Sequence, residues 1–184
     1  MDQVSTHKTS MVMKLTGNFI HYGKENLNGR IYTKECAEKM VEYFNMKKKG
    51  LAEAPDGMSG GMDPNNQWFQ CDTMLGQLGY PKEGNFSNLA NVSHEVEEIH
   101  LDEKNNTVAG TIRILETPAG KTVKTILNEI SHGSPTGLYC RPRAIGTVNE
   151  NKEIEIEQII SFDIIAESDA FSNIKENDFL NIKE

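Results

Sequence analysis

Cys140 is followed directly by Arg141. A thiol is a good nucleophile once ionised, and an adjacent guanidinium lowers its pKa. Such a nucleophile needs an imidazole to take its proton and a third group to orient that imidazole. His94, in VSHE, and His100 are the available imidazoles. Asp163 stands in the apolar run IISFDIIA, where an ionised carboxylate requires a partner, and Arg141 and Arg143 are the candidate cations. Ser134, in HGSPTG, precedes a proline in a turn and has no base beside it. His132 falls at a helix C-terminus, where capping is its expected role.

Each group also has a plainer reading. Cysteine is commonly a small buried side chain, and on a strand residue 140 faces away from residues 139 and 141. His94 then becomes a hydrogen-bonded structural histidine, and Asp163 one half of a structural ion pair. Cys36, Cys71 and Cys140 are far apart and form no CxxC or His-plus-Cys spacing, so no zinc site and no complete disulfide pairing is expected. No cofactor motif is present.

These side chains sit in a 184-residue chain, long enough for one domain with a proper core. With 37% hydrophobic and 25% charged residues, and a mean hydropathy of -0.53, its composition is that of an ordinary soluble protein. The net charge of -8 argues against a nucleic-acid partner, which calls for a basic face. No apolar stretch approaches the ~20 residues of a membrane span, and the N-terminus lacks the layout of a secretion signal. A cytosolic protein is expected.

The elements that must position the candidates can be read in order. Residues 1–12 are polar and expected to be loose; the domain is assigned to 13–166 and a polar tail to 167–184. VMKLTGNFIHYG reads as a strand, with Leu15, Phe19 and Ile20 on its imperfect apolar side. Asn28-Gly29 signals a turn, organised with Asn26 and Arg30. Thr33 caps a helix through Lys49, with Ala37, Met40, Val41 and Phe44 forming one stripe. Residues 51–73 form a long loop, in which Trp68 and Phe69 are either a contact site or folded onto the core. LANVSHEVEEIHL and TVAGTIRIL alternate as a hairpin, the first changing phase as a bulge would make it. Thr117-Pro118 opens a second helix with the stripe Val123, Ile126, Leu127 and Ile130, ended by Gly133. GLYCRPRAIGTV and EIEIEQIISFDIIA are strands joined by NENK, the second central and buried. NIKE occurs twice, at 173–176 and 181–184, as a coincidence or a short helix. The tally is an α+β domain with a closed or half-closed antiparallel sheet.

Five stretches in order resemble the prohead (capsid maturation) proteases of tailed phages. NLNGRIYTKECAEKM is similar to their Asn-x-Asn-x-Arg-x-Tyr opening, filled here by Asn26, Asn28, Arg30 and Tyr32. MLGQLGYP resembles their Gly-Glu-Leu-x-His-Pro segment, and the hairpin with ETPAGK resembles their central region. GLYCRPRAIG falls at their Gly-Val-Ser-Ser-Arg-x-x-Gly segment, and SFDIIAESDA resembles their last strand. The similarity spans roughly 13–170. It implies the herpesvirus-assemblin fold, an antiparallel barrel-like sheet flanked by at least two helices, and serine proteolysis of scaffold and capsid proteins.

The resemblance also implies a histidine where this chain has Tyr80. It implies a serine where the chain has Tyr139, if aligned from Gly137, or Arg141, if aligned from Gly146. A phenol is a poor base at neutral pH and a guanidinium is none. The expectation is a phage head-morphogenesis protein without an intact catalytic set, binding scaffold, capsid or protease proteins in the host cytoplasm or prohead. The alternative is an active maturation protease rearranged around Cys140 and His94, with Asp163. A structural or decoration protein sharing the fold by accident is a third class.

Overall fold

The computed structural model describes residues 12–48, 73–81, 88–166 and 181–183. Along these the chain forms β1 (Lys14–His21), β2 (Ile31–Tyr32), α1 (Lys34–Lys48), β3 (Met74–Gln77), β4 (Val92–Asp102) and β5 (Thr107–Ile114). It continues as α2 (Pro118–Ser131), β6 (Leu138–Val148), β7 (Glu153–Ala166) and β8 (Asn181–Lys183). Trp68, Phe69 and Cys71, with the long loop that holds them, lie outside the described residues, as does 167–180.

The expected hairpin is the middle of the larger sheet, whose order is β3-β4-β5-β1-β8, antiparallel throughout. The phase change in β4 is a bulge between Val96 and Glu98, which lets Val96 and Ile99 both reach the core. A second bulge, between Asn18 and Ile20 in β1, buries Phe19 and Ile20 together and explains the broken alternation there. The smaller sheet is β2-β7-β6, with β6 and β7 antiparallel and β2 parallel to β7. β7 is its central strand, as the sequence implies. Pro142 is tolerated in β6 because β6 is an edge, where a missing N–H breaks no central ladder.

The α+β class with antiparallel sheets and two helices is observed; among the described residues a closed barrel is not. Among the described residues the sheets meet through one parallel bridge, Leu78 with Ile164, and through side chains such as Phe19 and Phe162, whose ring centroids are 4.9 Å apart. The described strands hydrogen-bond as two separate sheets, and in β6 Pro142 donates no hydrogen bond while the pairing with β7 shifts register at Arg143/Ala144 and Ile145/Gly146. The second NIKE also differs from expectation: Asn181–Lys183 is neither helix nor isolated tail but pairs with Thr16–Lys14.

Both helices cover the core from outside. Cys36, Ala37, Met40 and Phe44 of α1 are buried, with Val41 packed at the margin. Thr33 Oγ1 accepts from the Cys36 N–H at 3.1 Å, the expected cap. In α2, Val123 and Leu127 are buried and Ile126 and Ile130 partly so. Thr117 Oγ1 accepts from the Gly120 N–H at 3.0 Å and donates to the Val92 carbonyl, fastening the helix start to β4. Thr117→Ala should therefore cost about 1–2 kcal/mol, the upper range for a lost cap, in urea unfolding. Thr117→Ser should recover most of it; equal losses in both variants would refute the capping account.

Candidate functional site

Three segments converge on one pocket. The first is the turn after β1. Asn26 Oδ1 accepts the N–H groups of Asn28 and Arg30, both at 3.0 Å, and Gly29 adopts φ +70. Only the glycine takes positive φ, so the turn is built by the Asn26 side chain rather than by an Asn-Gly pair in the left-handed region. The chain then enters β2, which carries Tyr32.

The second segment leaves β3 at Gln77. Its course is fixed by the bridge of Leu78 to Ile164, by the Gly79 N–H donating to the Ile164 carbonyl at 2.8 Å, and by Gly79 at φ +84. This sharp exit delivers Tyr80 to the pocket with 38% of its surface exposed. The third segment is β6. Tyr139 and Arg141 lie two apart on the strand and so share a face. The Tyr139 ring folds over Gly137, where a Cβ would lie 2.8 Å from both the ring and its hydroxyl.

The pocket holds about 170 Å3 and receives both Tyr80 and Tyr139. Arg141 lies over the Tyr80 ring, 4.0 Å from its centroid, a close cation–π contact. Arg30, Tyr32 and His21 also line it. Burial pushes the Tyr32 phenol up to about 12, opposed only in part by the charge of Arg141, so it keeps its proton at neutral pH. Isoleucines of β6 and β7 supply apolar wall. His21 and Asn18 were not signalled by any motif. They come from the solvent-side positions of β1, whose imperfect alternation was the sole hint.

The other candidates are buried, occupied or remote. Cys140 borders the pocket, but its side chain is packed into the core, and burial, aided by the Asp163 charge, raises its thiol well above the ordinary value. His94 is fully buried. Its Nε2 lies 2.9 Å from the Phe162 carbonyl and must donate to it, so Nδ1 accepts the Ser93 hydroxyl at 2.9 Å. This is a hydroxyl–imidazole pair by distance, yet both side chains have no exposed surface. It ties β4 to β7. Arg143 is the partner of Asp163: Nη2 donates to Oδ1 at 3.2 Å, while Nε approaches Oδ2 at 2.9 Å as a charge contact rather than an aligned hydrogen bond. The Gln77 N–H and the Ser161 hydroxyl also donate to Oδ1, each at 3.1 Å. Burial raises the Asp163 carboxyl, against the pull of Arg143.

His100 is exposed, 3.7 Å from Glu98. His132 Nδ1 lies 2.7 Å from the Asn128 carbonyl at the end of α2, the capping position. Ser134 holds a local turn through the Thr136 N–H at 3.3 Å.

Burial lowers the His94 ring to about 4, from about 6.5 in an unfolded chain. The folded state thus binds fewer protons in that window. Its stability is full above about pH 6.5 and falls as pH drops, by about 2 kcal/mol at pH 5. Asp163, with its raised pKa, acts in the opposite sense, so the histidine's share is read in the window between pH 7 and 5 as the difference between the native sequence and a variant without the imidazole. Urea midpoints should fall across it for the native sequence and stay nearly level in His94→Gln. A level profile in the native sequence would contradict the assignment.

No family profile matches the chain, and no curated protein matches it in sequence. Among solved structures, the chain is similar to the bacteriophage T4 capsid assembly protease gp21, with a TM-score of 0.52 and 18% identity. The match covers 83% of this chain and 80% of that one. The two share a fold.

Proposed function

We propose that this protein is a phage head-morphogenesis factor whose protease-like domain binds head proteins rather than cutting them. The observation that carries the reading is the stacking of Arg141 on Tyr80. The resemblance assigns the base to the position of Tyr80, and one of its two alignments assigns the nucleophile to Arg141. A base and its nucleophile must touch, and these two side chains do. The contact favours the alignment from Gly146 over the one that selects Tyr139. A guanidinium on a phenol can neither attack a carbonyl nor accept a proton at neutral pH. Both can hold a polypeptide segment.

The partners in this reading are scaffold protein, capsid protein or an active protease, met in the host cytoplasm or inside the prohead. None of the described helices is long and apolar enough to cross a membrane. Against a protease rearranged around Cys140 and His94 stand the buried, protonated thiol and the occupied imidazole.

Purified protein incubated with scaffold and capsid proteins should leave them intact, and in excess it should slow their cleavage by an active prohead protease. Specific fragments that persist after repurification would overturn the proposal. In the same preparation, Cys140 should react with a thiol reagent only on the timescale of unfolding. Rapid labelling at neutral pH together with loss of processing in Cys140→Ala would establish the rearranged protease instead.

A further inference from the structure

Asn28 is the only asparagine of the chain that glycine follows. The pairing matters for reactivity as well as for the turn. The carboxamide carbon of an asparagine can be attacked by the backbone nitrogen of the next residue. Glycine has no Cβ to shield that nitrogen or to restrict its approach.

The local structure leaves the electrophile free. Asn28 is exposed, and its carboxamide makes no hydrogen bond among the described residues. The asparagines of the other turns differ: the side chains of Asn88, Asn105 and Asn149 are all engaged, as is that of Asn26. The nucleophile is held, but by one bond. The Gly29 N–H donates to the Asn26 carbonyl at 2.8 Å, and Asn26 Oδ1 braces the turn around it through the N–H groups of Asn28 and Arg30. The Gly29 nitrogen must leave its acceptor and lose its proton before it attacks. A hydrogen bond in an exposed turn shifts such an opening by about tenfold, which slows the reaction without stopping it.

We infer that Asn28 is a site of spontaneous deamidation, that Asn26 sets its rate, and that the rim of the pocket thereby gains a carboxylate. The Gly29 nitrogen bonds to Asn28 Cγ as its proton passes to solvent, and the side-chain nitrogen leaves as ammonia, closing a succinimide ring. Water then opens the ring at one of its two carbonyls. Attack at the former side-chain carbonyl gives aspartate in the normal backbone; attack at the main-chain carbonyl gives isoaspartate, with the chain routed through the side chain. Asn28 borders the pocket, whose described lining includes no Asp or Glu, so either product introduces a negative charge there, close in sequence to Arg30. Isoaspartate also lengthens the main chain by a methylene, and Asn26 Oδ1 then loses at least one of its two donors. The reaction does not depend on what the pocket binds.

The test incubates the folded full chain at neutral and mildly alkaline pH, beside a urea-unfolded sample, and maps both by mass spectrometry. The peptide holding Asn28 should show the mass increase of an amide-to-acid exchange before any other asparagine-bearing peptide, as a mixture of aspartate and isoaspartate forms. The rate should rise with pH, because the attacking nitrogen must be deprotonated, and unfolding should raise it by about tenfold. Asn26→Ala should bring the folded rate towards the unfolded one, whereas Asn26→Asp, which keeps the acceptor, should stay near the native rate. Asn28→Gln should suppress the change, since a larger ring closes slowly. Hydrogen exchange at the Arg30 amide should quicken in the aged fraction. A folded chain that keeps Asn28 amidated while another asparagine converts, or a rate indifferent to pH, would overturn the site. Equal rates in Asn26→Ala and Asn26→Asp would overturn the role given to Asn26.

Discussion

Asp163→Ala should destabilise the protein by about 3–5 kcal/mol, the range for breaking a buried ion pair on one side. The carboxylate is fully buried and collects Arg143, the Gln77 N–H and the Ser161 hydroxyl. Its removal takes the opposite charge of Asp163 from a guanidinium that is 3% exposed and deprives a buried backbone N–H of its acceptor. The reciprocal change should cost less. In Arg143→Ala the orphaned carboxyl can take up a proton, and burial already pushes it that way; arginine has no such escape. Urea unfolding of both variants, with Arg143→Met/Asp163→Leu as the paired control, measures the asymmetry. The paired variant should recover much of the loss, because the desolvation cost vanishes with both charges. A larger loss for Arg143→Ala, or losses below about 1 kcal/mol for both, would remove the pair from the account of stability.

Gly76→Ala is the second large effect, and its cause is space rather than backbone freedom. Gly76 opposes His94 across β3 and β4. A Cβ there would overlap the His94 ring and the Phe162 carbonyl, the two ends of the hydrogen bond that ties β4 to β7. Overpacking costs about 1–3 kcal/mol and an unmade buried hydrogen bond about 1–3 more, so a loss of about 2–6 kcal/mol is expected. His94→Ala should partly rescue Gly76→Ala by clearing the ring but not the carbonyl. Hydrogen exchange adds a readout that global stability does not supply. Leu78 donates to Asn91 and Gly79 to Ile164, so both amides should lose protection as β3 lifts. Unchanged protection with an unchanged midpoint would show that the strand accommodates the methyl.

The parts of this architecture that were legible in the sequence are those set by local chemistry. Thr117 with Pro118 announces α2 because capping needs only neighbouring atoms. The phase change in LANVSHEVEEIHL announces a bulge because burial of Val96 and Ile99 on one face demands it. The NENK turn is likewise local: Asn149 Oδ1 accepts the N–H groups of Asn151 and Glu153, and Lys152 takes φ +66. The lack of closure was not legible. It depends on which strands meet at the sheet edges, a long-range property, and the two register shifts in β6 also leave little trace in a stretch as mixed as RPRAIGTV.

The candidate site divides the same way. Asp163 had to be partnered, and Arg143 rather than Arg141 is the partner, although Arg141 is its direct neighbour in register. Alternation alone cannot separate Tyr139 from Arg141 as the counterpart of Tyr80, because residues two apart point to one side. In the proposed reading the contact of Arg141 with Tyr80 favours Arg141. His21 and Asn18 were missed because pocket membership there follows from how β1, the turn at Asn26 and β6 come together, and no residue type announces it.

The pairing of β8 with β1 has a consequence for synthesis. Lys14 meets Lys183 and Leu15 meets Ile182, so nearly the whole chain is made between the two halves of this contact. While the ribosome is still working, one flank of β1 offers unpaired amides and carbonyls, a template on which another nascent chain can dock. Contacts between such distant residues also form late, because the intervening polypeptide must first be drawn together. Chains crowded on one messenger are thus the setting in which this strand is most exposed to pairing with the wrong copy.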